Sequence, residues 1–352
     1  MQLVVFGLTI SSSWGNGHAT LWRGLLRAIA HRGHQVTFFE RDVPYYAQNR
    51  DLVGWTDGEL VLYPDWSSVE ERARAAVRAA NVSIVSSFCP DSQAASQLVQ
   101  DNAGLKIFYD LDTPVTLNQY SKQGFVSYLP TEGLSGFDLV LSYTGGLALA
   151  ELVRLFDARK AVTLYGHADP NFHYPSCPET GHQASLSYLG TYANDRQPVL
   201  EEMFFETARR LPQRRFMLAG ALYPETFDWP QNVDFVRHLP PSEHPAFFSS
   251  SAMTLNVTRP SMAAMGFCPS GRLFEAASCQ TPIVSDLWVG IEEFFEPGKE
   301  ILLAQTTQEV VDSLSIDAAQ LAEIGLAARR RVLSQHTSDH RAQELEDILS
   351  NL

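Results

Sequence analysis

Two short stretches carry side chains of the kinds that handle phosphates and protons. In Pro269-Ser270-Gly271-Arg272-Leu273-Phe274-Glu275, proline enforces an extended entry, serine is a helix N-cap residue and glycine leaves the backbone open. A helix N-terminus with free N–H groups attracts phosphate, and Arg272 adds a full charge in the first turn. Glu275 follows one turn later, where a carboxylate accepts hydrogen bonds from ribose hydroxyls, and Arg259 supplies a second cation for a diphosphate. The same residues also fit a capped helix with a surface Arg and Glu. In Trp14-Gly15-Asn16-Gly17-His18, a histidine beside two glycines follows the first apolar run, the place of a general base at the mouth of a sheet. A helix-terminal histidine bonded to backbone is the alternative there. Asp110-Leu111-Asp112 has the form of a metal-binding DxD, and equally of carboxylates that hold acceptor hydroxyls or of a plain strand-end turn.

These residues need a frame, and the hydrophobic pattern provides it. Leu3-Val4-Val5-Phe6 is a continuous apolar run, as in a strand covered on both faces. Leu21, Trp22, Leu25, Leu26 and Ile29 then recur at helical spacing, Gly33 stands at a helix C-cap, and Gln35-Val36-Thr37-Phe38-Phe39 is a second strand. A strand, helix, strand unit predicts a parallel sheet. Further strands are predicted at 82–86, 105–109, 138–142 and 162–165, with helices at 69–80 and 92–100. Residues 166–183 are rich in Pro, His and Ser without periodicity and read as a linker. A second series follows, with strands at 185–189, 216–219, 233–236, 253–257 and 282–285 and helices at 200–211, 245–250, 273–278 and 307–314. Residues 317–352 read as helix with a polar break near His336-Thr337-Ser338.

The fold class is therefore α/β: two doubly wound domains, 1–165 and 184–330, joined by the 166–183 linker, with a C-terminal helix at 331–352 packing back toward the first. Ligands of such sheets bind at the carboxyl ends of the strands, which points to a cleft between the two domains. The chain has 352 residues, 45% hydrophobic and 19% charged, and its 26 Lys and Arg against 40 Asp and Glu leave a formal charge of −14. That balance argues against broad electrostatic binding to nucleic acid or anionic lipid. No apolar run approaches the roughly 20 residues a bilayer span needs. The four cysteines form no CxxC pair, and a cytoplasmic location is expected. His167, His173, Cys177 and His182 cluster in the linker, but their spacings match no zinc pattern.

From 274 to 300 the sequence resembles the donor-binding half of GT-B glycosyltransferases: Phe274-Glu275-Ala276-Ala277-Ser278-Cys279-Gln280-Thr281-Pro282-Ile283-Val284-Ser285-Asp286, then Gly290-Ile291-Glu292-Glu293-Phe294-Phe295-Glu296-Pro297-Gly298-Lys299-Glu300. The likeness is closest to the CgeB-like (spore-maturation protein) group, related to the retaining family-four enzymes. Upstream segments agree in order. Tyr188-Leu189-Gly190-Thr191-Tyr192 with Arg196 resembles the strand and phosphate-contacting loop, and Met217-Leu218-Ala219-Gly220 the next strand and its glycine. Val236-Arg237-His238-Leu239 resembles the loop that cups the nucleobase, and 162–172 the interdomain linker. In the first domain, residues 14–18 resemble the glycine-rich loop, and His34 falls in the matching helix-to-strand turn.

The resemblance implies a GT-B fold, with Tyr192, Arg196, His238, Arg259, Ser270, Gly271, Arg272 and Glu275 as donor contacts. Gly15, Asn16, Gly17 and Asp110 would meet the acceptor, and His18 or Asp112 would be the base of an inverting reaction. The co-substrate is a nucleoside-diphosphate sugar, with no cofactor and no metal required. One departure stands out. The family-four pattern has two glutamates eight positions apart; Glu275 matches the second, but Phe267 occupies the place of the first.

Three other readings remain. Gly15-Asn16-Gly17 with Glu40 resembles a dinucleotide fingerprint, but Thr20 stands at the third glycine position and the loop is too long for it. A sugar-nucleotide epimerase would share the motif order, and the missing glutamate leaves open a nucleotide-sugar-binding protein without turnover.

Overall fold

The computed structural model describes all 352 residues, which form two compact units. The first comprises Met1–Tyr165, Met265–Cys268 and Ser338–Leu352; the second comprises Gly166–Ala264 and Pro269–Thr337. No helix is long and apolar enough to cross a membrane.

The first unit alternates strand and helix: β1 (Gln2–Gly7), α1 (His18–His31), β2 (Gln35–Arg41), α2 (Pro44–Ala47), β3 (Glu59–Tyr63), α3 (Trp66–Ala79), β4 (Val82–Ser86), α4 (Ser92–Gln100), β5 (Leu105–Asp110), α5 (Thr113–Gln123), β6 (Leu139–Ser142), α6 (Leu147–Phe156) and β7 (Ala161–Thr163). The sheet order is β3-β2-β1-β4-β5-β6-β7, and the paired strands are parallel. Successive side chains of β1 serve opposite faces, so Val4 and Phe6 enter one apolar cluster and Leu3 and Val5 the other. That explains why this strand is apolar throughout.

The second unit contains β8 (Leu186–Leu189), α7 (Gln197–Leu200), a wide helical turn at Glu201–Phe205, α8 (Glu206–Arg210), β9 (Phe216–Ala219), β10 (Val233–Val236), α9 (His244–Ser249), β11 (Thr254–Asn256), α10 (Pro260–Met265), α11 (Gly271–Ser278), β12 (Ile283–Ser285), β13 (Leu302–Leu303), α12 (Thr307–Ser313) and α13 (Ala318–Gln335). Its order is β10-β9-β8-β11-β12-β13, again parallel. Each sheet therefore reverses its winding once, between β1 and β4 in the first and between β8 and β11 in the second.

The chain then returns to the first unit as α14 (Ser338–Ser350), where Ala342, Leu345 and Leu349 join the cluster that holds Leu21 and Leu25 of α1. Glu346 receives Arg32 at 2.6 Å and His34 Nε2 at 2.6 Å. The polar break before α14 falls at His336-Thr337. Residues 166–183 are counted in the second unit: His173 is buried there, and Ser278 Oγ donates to its carbonyl at 2.5 Å.

The sequence reading left out α2, β3, α5, α6, α10 and β13; α6 is apolar along most of its length, so a weak pattern does not explain its absence, whereas β3 and α5 are weakly marked. β3 is an edge strand with only two buried side chains, and α5 is polar over most of its length. Neither leaves a strong periodic signal. The strand predicted to reach 165 ends at Thr163, and the helix predicted over 200–211 widens at 201–205.

Gly220, at the end of β9, lies so close to the loop after β8 that a Cβ there would stand 2.0 Å from the Gly190 carbonyl oxygen. Gly220→Ala must push two backbone segments apart, an overpacking cost of about 1–3 kcal/mol. The expected result is a lowered thermal unfolding temperature with retained secondary structure, read by circular dichroism.

Candidate active site

In the first unit the loop after β1 is built around one carboxylate. Glu40, at the end of β2 and fully buried, accepts from Thr9 Oγ1 at 2.8 Å, Ile10 N at 2.8 Å, Ser11 N at 2.9 Å and Ser11 Oγ at 2.5 Å. Those donors would otherwise be stranded in the interior. Arg23 of α1 donates through Nε to the Ile10 carbonyl at 2.8 Å and pairs with Asp51, which in turn accepts from Ser13 N and Oγ. Glu40 is thus spent on the loop, which removes the ribose-binding acid that the dinucleotide reading needed.

Gly15 turns this loop with φ +59°, and buried Asn16 accepts from His18 N at 3.1 Å while its Nδ2 donates to Thr9 O at 3.4 Å. Asn16 therefore starts α1 from inside, so its side chain is not presented to an acceptor as the sequence suggested. Gly17 is exposed and Gly15 half-buried.

His18 opens α1, and its Nε2 lies 3.1 Å from Asp112 Oδ2. Residues 94 positions apart in the chain thus form one pair, because the loops after β1 and β5 emerge at the same end of the parallel sheet. Both side chains reach solvent, 20% and 26% exposed. With Nε2–H donating to the carboxylate, the ring's lone pair is on Nδ1, which is enclosed and has no hydrogen-bond partner.

Asp112 is the N-cap residue of α5, whose Val115 and Thr116 amides bond its carbonyl. Phe88 packs 5.7 Å from the His18 ring and 4.6 Å from Tyr128, with φ +63°. Ser87 Oγ accepts from Leu111 N at 2.9 Å. Phe88, Ser87 and Tyr128 were not singled out from the sequence, and only the strand-end position of 87–88 hinted at them.

Asp110 is fully buried, which corrects its expected role as an acceptor contact. Its Oδ1 accepts from Thr116 Oγ1 at 2.9 Å and from Asp112 N at 3.3 Å, so it braces the turn that carries Asp112. Burial pushes its carboxyl up to about 6.

In the second unit three guanidinium groups gather on one loop, 189–196, at the carboxyl end of β8. Arg272 donates through Nε to the Leu189 carbonyl at 2.8 Å, and Arg196 donates to the Thr191 carbonyl with its guanidinium 5.7 Å over the Tyr188 ring. Arg259, on the loop after β11, pairs with Asp195 at 2.8 Å. Ser270 caps α11 by accepting from Arg272 N at 3.3 Å, with half-buried Gly271 beside it. Tyr192 meets Tyr223 edge-on at 5.3 Å, and half-buried His238 stands on the loop after β10. The loops after β8 and β11 border the winding reversal between these two strands, where such sheets bind ligands.

Glu275 is the exception. It is 3% exposed and points toward His173 and His244, at 3.9 and 4.0 Å, with Arg272 Nη1 3.6 Å away. One turn from the cap, α11 buries this face of the helix, so the expected ribose contact is not open at the surface. Burial holds both histidines below the usual imidazole range, His244 at about 3.

Residues 196–347 match the protein family described as glycosyl transferase-like. Sucrose-phosphate synthase from Thermosynechococcus elongatus superposes with a TM-score of 0.69 at 14% identity, over 100% of this chain and 99% of its own. HepE of Anabaena, solved with UDP-glucose, gives 0.69 at 12% identity over 100% of both chains. An alpha-glucosyltransferase solved with UDP-glucose and DNA containing an abasic site gives 0.71 at 12% identity over 99% of each. No curated protein matches the chain in sequence. The fold is that of the GT-B glycosyltransferases.

Within this GT-B chain, Phe267 adopts φ +47° in the first unit, and Gly145 N donates to its carbonyl at 2.9 Å. A Cβ on Gly146 would stand 2.6 Å from the Phe267 ring, so this glycine pair after β6 is shaped to the phenylalanine. The position that corresponds to the first glutamate of the family-four pattern thus holds an apolar ring on a left-handed backbone.

The buried Asp110 makes a pH-dependent contribution whose sign follows from its raised value. The folded state keeps its proton to higher pH than the unfolded chain, so the stability it adds is complete below about pH 4 and is lost as pH rises through about 6. Asp110→Asn stays neutral throughout. Across that window the variant is expected to gain stability relative to the wild type as pH rises, read as the difference between their thermal midpoints at pH 4 and pH 7.

Proposed function

We propose that the protein moves a sugar from a nucleoside-diphosphate sugar to an acceptor hydroxyl. The observation that carries this reading is the grouping of Arg196, Arg259 and Arg272 around loop 189–196, beside the capped start of α11. Three planar cations at a winding reversal suit a diphosphate, whose charge grows as it leaves the anomeric carbon. Tyr192, on the same loop, and His238, on the loop after β10, would serve the nucleoside. A UDP-sugar is the donor class to try first, because HepE and the alpha-glucosyltransferase are solved with UDP-glucose. Within GT-B, the ordered segments from 188 to 300 favour the CgeB-like group.

On the acceptor side, the His18–Asp112 pair is the proton acceptor. Asp112 is the more exposed of the two, 26% against 20%, while Nδ1 of His18 is enclosed. We therefore assign Asp112 as the base and His18 as the group that orients it through Nε2–H. A positioned general base is worth about 10²–10⁴ in rate. Transfer needs no metal in this reading, because the arginines neutralise the diphosphate.

Arg196→Ala and Arg272→Ala are each expected to weaken UDP binding about 10- to 100-fold in calorimetric titration, the worth of one charge-assisted hydrogen bond. Asp112→Asn is expected to leave UDP affinity unchanged and lower kcat about 10²-fold or more. His18→Gln, which keeps a donor in place of Nε2–H, should lose less than His18→Ala. Wild-type UDP affinity in both arginine variants would contradict the donor site. Full activity in Asp112→Asn would assign proton removal to the leaving phosphate instead.

A further inference from the structure

Three side chains of the second unit meet in a place to which the sugar-transfer reading above assigns no role. His173 lies in the passage before β8, His244 opens α9 and Glu275 lies in the second turn of α11. They are 3%, 5% and 3% exposed. His173 Nε2 and His244 Nδ1 are 3.3 Å apart; Glu275 Oε1 is 3.9 Å from the former, and its Oε2 is 4.0 Å from the latter. One donor atom from each residue lies within 4.8 Å of the other two. The two carboxylate separations are too long for hydrogen bonds. His173 Nδ1, also buried, has no partner.

We propose that His173, His244 and Glu275 form a binding site for one zinc-class divalent cation, which ties the passage before β8 to α9 and α11. The inference stands on these three residues and does not rest on the sugar-transfer reading. A tetrahedral ion with bonds of about 2.0–2.2 Å sets its ligand atoms about 3.3–3.5 Å apart. The two imidazole nitrogens already have that separation. The carboxylate needs to close by about half an ångström to reach it, within the range of its side-chain torsions.

The donor set of two nitrogens and one oxygen suits zinc and its neighbours and is a poor match for calcium or magnesium, which take oxygen ligands. Both rings are buried, and burial disfavours their charged form. The surroundings resemble those of ligating groups. The backbone at Leu239 hydrogen-bonds His244, Ser278 Oγ holds the His173 carbonyl, and Arg272 Nη1 lies 3.6 Å from Glu275 Oε2, the oxygen that also faces His244. The Arg272 charge opposes a cation, so binding in the micromolar range is expected rather than the tighter binding of a thiolate site.

The test uses untagged full-length protein carrying Cys177→Ser, which removes the one exposed thiol. After dialysis against chelator, the protein is titrated with Zn²⁺ and, separately, with Co²⁺. One equivalent should bind, with visible cobalt bands of tetrahedral intensity and no thiolate charge-transfer band, and Zn²⁺ should raise the melting temperature reversibly to EDTA. His173→Gln and His244→Gln should each weaken Zn²⁺ binding more than about tenfold. Absence of a stoichiometric site in the parent protein would overturn the proposal, as would parent-like affinity in both variants. Should either variant fail to fold, the cobalt spectrum of the parent decides: an octahedral or thiolate spectrum contradicts the site.

Discussion

A parallel sheet sends all of its carboxyl ends to one edge, and at the reversal of its winding two neighbouring loops leave toward opposite faces. Backbone groups exposed there have no strand partner, so side chains must hold them. In the first unit Glu40 does this for the loop after β1, and in the second Arg196 and Arg272 do it for the loop after β8. The difference lies in what remains after the backbone is satisfied. Glu40 is buried and fully engaged, whereas Arg196 and Arg272 remain half-buried and keep further N–H donors for a ligand. One anchor is wholly buried, and the others keep part of their surface exposed.

The same logic separates Asp110 from Asp112, two residues apart on one turn. Asp110 points inward, braces Thr116 and the Asp112 amide, and is held partly protonated by burial near pH 6. Asp112 points outward and takes His18. β5 ends at Asp110, and the turn into α5 leaves Asp110 inside while it carries Asp112, the N-cap residue of α5, to the partly exposed side.

The strands at 82–86 and 216–219 were legible residue for residue because they are short, wholly buried runs bounded by turns, and the edge strand at 233–236 was legible from Val233, Phe235 and Val236. The helix after Ser270 was legible from its cap. β3 and α5 were not: β3 follows an irregular stretch whose one helix, α2, is short, and α5 is polar along most of its length. For the candidate site, the residue types at 18, 112, 196, 259 and 272 were readable, but their partners were not. His18 and Asp112 stood as alternative bases in the sequence and prove to be one pair. Glu275 was placed toward ribose by its motif position, yet its burial depends on His173 and His244, which lie 102 and 31 positions upstream. The histidines of the 166–183 stretch matched no metal spacing because the other members of the cluster come from distant elements.

The most direct test of the donor site is hydrogen–deuterium exchange of the full chain with and without saturating UDP. The account requires slowed exchange in 189–196 and in the first turn of α11, together with the loop after β11. UDP-dependent protection confined to residues 9–17, at the other sheet, would contradict it and move the nucleotide to the first unit.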